Sequence, residues 1–173
     1  MEESDWSSDV CSSDLGGGPP APEKLNLCEA VEDAFNNIKI QKQNIHDVDN
    51  CCILNIDKNI EISSDPGHIK ELFNLIFNEI LESTGGKARF RISAENFQAR
   101  GETECIVAIK GVPNVKKNAD AIFEPFALPI ANVGTGLAFS VAKHLIELNG
   151  GKMKADFPTD DEVTFTLSFT TAS

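Results

Sequence analysis

The chain has 173 residues, with Lys+Arg 15 against Asp+Glu 27 and a formal net charge of −12. At 41% hydrophobic and 24% charged residues, it has the composition of one globular domain with a real core. The surplus of acid excludes a nucleic-acid groove, which needs clustered Lys and Arg. No apolar run nears the ~18–20 residues of a membrane-spanning helix, so the piece reads as soluble.

Residues 1–24 do not read as fold. Met1 to Leu15 is acidic and serine-rich, and Gly16 to Pro22 has linker composition. Ser7 to Leu15 resembles translated sequencing-adapter DNA, so the stretch is either a gene-assembly artefact or an ordinary disordered tail. The domain is expected over 25–173.

Regular patterning starts at Leu25. Val31, Ala34, Phe35 and Ile38 share one face of a helix over 28–43. Cys51 to Ile56 is a short strand. Ser64 or Asp65 caps a helix opened by Pro66, with Ile69, Leu72, Phe73, Ile76, Phe77 and Ile80 on its core face and Gly85-Gly86 at its end. Alternation marks strands over 88–95 and 105–109. A Lys-, Asn- and Pro-rich stretch over 110–120 leads to Ile122-Phe123-Glu124-Pro125-Phe126. Gly134-Thr135-Gly136 then opens a helix with Leu137, Val141, Leu145 and Leu148 on its apolar face, closed by Asn149-Gly150-Gly151. Strands over 152–157 and 163–169 finish the chain. Helices interleaved with mostly hairpin-linked strands make an α+β two-layer sandwich, with helices on one face of a mixed sheet.

Two features carry chemistry. Asn74 and Asn78 stand at i and i+4 on one helical face, where amide oxygens can ligate Mg²⁺ alongside phosphate and water; on a helix such a pair is also a common solvated surface. Gly134-Thr135-Gly136-Leu137 is a glycine-rich turn into a helix N-terminus, which frees backbone N–H groups for phosphate, or simply a tight turn. Cys11, Cys28, Cys51, Cys52 and Cys105 are irregularly spaced and read as free thiols, two or three of them buried. His46, His68 and His144 read as surface or capping residues. Glu79 and Glu82 could serve as base or ligand, but read as solvated helix charges.

In order and spacing, Asp65-Pro66, Asn74-Leu75-Ile76-Phe77-Asn78, Phe123 to Phe126, Gly134-Thr135-Gly136-Leu137 and Asn149-Gly150-Gly151 resemble the catalytic ATP-binding domain of bacterial two-component sensor histidine kinases. The resemblance covers roughly residues 25–170 and implies the GHKL (Bergerat-type) ATPase fold. It implies ATP and Mg²⁺ as cofactors, with Asn78 as the metal-binding asparagine and Asn74 its phosphate-side neighbour. Phe123 to Phe126 resembles the F box and 127–133 a short lid. Gly134, Thr135, Gly136 and Leu137 resemble the second glycine box. Lys110 falls where the family has its adenine-binding aspartate, and an ammonium offers donors but no acceptor. Val112 and Asn114 replace glycines of that first box, Leu81 a frequent basic residue and Ala138 a usual glycine.

The implied activity is phosphoryl transfer from Mg-ATP to a histidine on a separate dimerisation domain. The implied partners are that domain and a response regulator, with homodimerisation only through upstream helices. The implied setting is cytoplasmic, or the cytoplasmic part of a membrane-bound sensor, without membrane contact by this piece. Two alternatives stay open. One is a degenerate module of the same fold that binds a kinase or response regulator without nucleotide turnover. The other is a free-standing anti-sigma-factor-type serine kinase.

Overall fold

The computed structural model describes residues 21–41, 52–111, 123 and 137–172. Strand β1 (Glu23–Asn26) runs directly into helix α1 (Leu27–Gln41), and β2 (Cys52–Asn55) and β3 (Glu61–Ser64) precede helix α2 (Pro66–Thr84). Strands β4 (Arg89–Phe97) and β5 (Glu102–Lys110) follow, then helix α3 (Ala138–Leu148), β6 (Lys152–Asp156) and β7 (Glu162–Thr170). Five strands form one sheet in the order β2-β4-β5-β7-β6. Only β2 pairs in parallel, Cys52 opposite Phe90 and Leu54 opposite Ile92. The mixed sheet with helices on one face is the α+β architecture anticipated above.

Strand alternation sorts the sheet into two faces. Phe90, Ile92, Cys105, Val107, Ile109, Val163, Phe165 and Leu167 are buried under the helices, while Ile106 and Lys110 lie on the outer face. Each of the large buried rings is worth about 1.5–3 kcal/mol relative to exposure. The rings interlock edge to face, Phe77 lying 5.5 Å from Phe35 of α1 and 5.2 Å from Phe90 of β4. That triangle fixes α1, α2 and the sheet against one another.

Helix α2 follows its sequence signals closely. The Asp65 carboxylate accepts from the N–H groups of Gly67 at 2.9 Å and His68 at 3.1 Å, satisfying two donors of the first turn. Gly85, at φ +62°, ends the helix in the left-handed region that favours glycine. All six expected core residues of this helix are fully buried.

The pattern misled at three places. Strand β1, which begins at Glu23, pairs antiparallel with β3 from Glu23–Ser64 to Asn26–Glu61, and neither strand was anticipated. Both are four residues long with a single apolar residue each, Leu25 and Ile62, too short for alternation to show. Helix α3 starts at Ala138, one residue past Leu137, and buries Phe139, Ala142, Leu145 and Ile146; of the expected stripe Leu145 is buried and Leu148 packs on the core, whereas Leu137 and Val141 are exposed. Val141 is 41% exposed, because two apolar stripes compete and Phe139, stacked 5.1 Å from Phe165, takes the core.

Candidate functional site

The two helices expected to frame the site, α2 and α3, pack side by side on the sheet. Asn149, just past the end of α3, ties them together. Its Oδ1 accepts from the Asp65 N–H at 2.8 Å. Its Nδ2 donates to the Leu145 carbonyl at 2.8 Å and lies 3.1 Å from Nδ1 of His68. The end of α3 is thus fastened to the start of α2, and the helices run antiparallel. Asp65 sits at this joint. Burial pushes its pKa up, but the N–H donors of Ala21, His68 and Gly67 and the nearby His68 charge outweigh that and leave it lowered.

His68 therefore marks the flank of α2 that faces α3. At about 100° per residue, Glu79, eleven residues on, returns to within about 20° of His68. Asn78, two residues before the buried Ile80, is turned about 160° away from Ile80 and hence from the sheet. Accordingly, Asn74 and Asn78 line a groove of about 230 Å³ on the outer, α1-facing side of α2, together with Ile38, Gln41, Glu71 and Leu75. The asparagines are brought together, but away from α3. The Asn74 Oδ1 is buried there with no hydrogen-bond partner.

Among the described residues, that groove is small and weakly charged. It is smaller than the roughly 300–1,000 Å³ of a small-molecule pocket. Among the described residues, its one charged lining side chain is the carboxylate of Glu71.

Lys110 ends β5 opposite Arg89 and Glu162. Because Ile109 points into the core, Lys110 points from the other face of the sheet, away from both helices. The resemblance puts Lys110 where the family has its adenine-binding aspartate; the structure sets its side chain on the outer face of the sheet. Leu137 occupies the N-cap position of α3 and is 36% exposed; its carbonyl accepts from the Val141 N–H at 3.0 Å. Gly134, Thr135 and Gly136, with the lid stretch 127–133 and His46, lie outside the described residues.

Sequence reasoning missed two things. Glu79 is not solvated: it is 8% exposed, a nearly buried carboxylate on the α3-facing flank of α2. The signal was present, since Glu79 follows Leu72 by seven residues and Ile76 by three, at the edge of the apolar stripe. The second is a hollow of about 350 Å³ at the β6 edge, lined by Phe123, Lys143, Lys152, Met153 and Lys154 among others. The Lys143 ammonium lies 4.9 Å above the Phe123 ring.

Among the described cysteines, Cys28 and Cys105 are buried and Cys52 is half-buried, all as free thiols. Burial pushes the Cys105 thiol up to about 12. No described helix is long and apolar enough to cross a membrane.

No protein-family model and no curated protein matches the sequence. Solved structures do match. The mycobacterial sensor histidine kinase MprB superposes with a TM-score of 0.70 at 12% identity, over 87% of this chain and 98% of its own. The nucleotide-free catalytic domain of the histidine kinase ThkA gives 0.68 at 19% identity, over 87% and 95%. ThkA in complex with the response regulator TrrA gives 0.66 at 18% identity, over 99% of this chain and 48% of that one. The arrangement of α2 and α3 over one face of a mixed sheet is the fold of the catalytic domains of sensor histidine kinases.

Proposed function

We propose that residues 25–173, with Glu23 and Lys24 of β1, are the ATP-binding catalytic domain of a sensor histidine kinase in a two-component phosphorelay. One observation carries the reading: α2 and α3 lie antiparallel, with the Gly134-Thr135-Gly136 sequence leading into the N-terminus of α3. A helix N-terminus entered by glycines is suited to phosphate, through backbone N–H groups and the helix dipole. In this reading ATP supplies the γ-phosphoryl group, the acceptor histidine sits on a separate dimerisation domain, and a response regulator receives the group in turn. The nucleotide side of α2 is its α3-facing flank, and neither Asn74 nor Asn78 is assigned to the metal. The setting is cytoplasmic, or the cytoplasmic part of a membrane-bound sensor.

A second reading has a specific observation in its favour. Asn74 and Asn78 open toward α1 and Lys110 toward the outer sheet face, which suits a module that binds a kinase or response regulator without turning over nucleotide. Calorimetric titration of the full chain with a non-hydrolysable ATP analogue and Mg²⁺ separates the two. Micromolar binding is the expected result for the kinase domain. Absence of heat at millimolar analogue, from protein shown to be folded, leaves the second reading.

A further inference from the structure

Strand β6 is an edge of the five-stranded sheet, paired with β7 on one side and with no described strand on the other. Alternate residues along its outer edge therefore offer backbone N–H and C=O groups to a partner. The hollow of about 350 Å³ follows this edge, since four consecutive residues, Lys152 to Ala155, line it from both faces of the sheet. On the helix side its floor is apolar. Met153 is 3% exposed, Phe123 is buried, and Lys143 lays its ammonium over the Phe123 ring. Glu147 of α3 stands at the wall. On the opposite face Lys152 and Lys154 are exposed, and neither pairs with a carboxylate among the described residues.

We propose that β6 takes up an extended acidic segment of a partner protein as a further strand of the sheet. In such additions main-chain hydrogen bonds along the open edge supply affinity, and alternate side chains supply specificity. Here the alternation of β6 sets the pattern. Cross-strand neighbours on one face stand about 4.5–5.5 Å apart at Cβ, so Asp or Glu of the added strand comes beside Lys152 and Lys154 on the outer face. Its apolar residues fall on the helix side, over Met153 and Phe123, where Glu147 disfavours a further acid. The chain as a whole, at −12, repels an acidic peptide, so attraction has to come from a local basic place such as this one. The same lysines repel the β6 edge of a second copy, which keeps the edge open to an acidic strand and closed to itself. The proposal is independent of nucleotide binding.

The test is fluorescence anisotropy of the full chain with a labelled nonapeptide of alternating Glu and Val. A second peptide has Pro in place of each Val, and a K152E/K154E variant is first shown folded by circular dichroism. Saturable binding of the Glu-Val peptide to the wild type is expected, weakened about tenfold or more in the variant. The Glu-Pro peptide keeps the charge but cannot pair as a strand, so no saturable binding is expected from it. Hydrogen exchange with the Glu-Val peptide bound is expected to show added protection at 152–156. Absence of saturable binding by the Glu-Val peptide overturns the proposal. Equal affinity in the variant overturns it too, by putting the peptide elsewhere. Equal binding of the Glu-Pro peptide does the same, by reducing the lysines to a charged patch without strand addition.

Discussion

The two flanks of α2 are built differently. The flank toward α3 is closed: Asn149 bridges the helix ends, Asp65 caps the first turn from the same joint, and Glu79 is buried farther along. The flank toward α1 opens outward as a shallow groove with an unpartnered amide oxygen at Asn74. Polar residues alone do not identify a site. Two asparagines in a promising pattern face the open groove, whereas one glutamate without a motif faces the helix whose N-terminus suits an anion. One residue of sequence, Asn78 to Glu79, separates two directions about 100° apart.

The closed flank breaks most readily at its turn. A Cβ at Gly151 would meet the Ser168 carbonyl oxygen and, at 2.8 Å, Cγ1 of Ile146. Backbone cannot yield cheaply there, so G151A is expected to cost about 1–3 kcal/mol in urea unfolding.

Next in size is the cap at the joint. D65A is expected to cost about 1 kcal/mol at neutral pH, by loss of the N-cap. The sign of its pH dependence follows from the lowered pKa. Stability from this carboxylate is complete above its unfolded value near about 3.9 and is lost as pH falls through the folded value. Unfolding curves of wild type and D65A are therefore expected to converge toward low pH; a gap that widens with acid would contradict the cap.

The smallest effect belongs to the open flank. N74L replaces an amide whose oxygen is buried without a partner, so it is expected to leave stability unchanged or raise it by up to about 1 kcal/mol. A loss comparable to that of G151A would mean that the groove is as tightly built as the joint.

Much of the fold was legible because long amphipathic elements repeat their signal. The core face of α2 can be read residue by residue, and β5 and β7 alternate cleanly over nine residues each. Strands β1 and β3 were not legible, since four residues with one apolar position each, Leu25 and Ile62, carry no period and their pairing is set by tertiary context. Helix α3 was placed with Leu145 and Leu148 on the core side, but Val141 turns outward, because Val141 and Phe139 belong to rival stripes of similar hydrophobicity. The site was legible only in outline. Motif order located the helices, but the direction of Asn78, Glu79 and Lys110 depends on which neighbour covers each face, and a single residue's offset reverses the assignment.

The central claim is that the α3-facing flank of α2 is the ligand side. Hydrogen exchange of the full chain with and without millimolar AMP-PNP and Mg²⁺ tests it most directly. The account predicts added protection at 79–84 and 138–141, with 38–41 unchanged. Protection confined to 38–41 and 74–78, or no change anywhere, would contradict it.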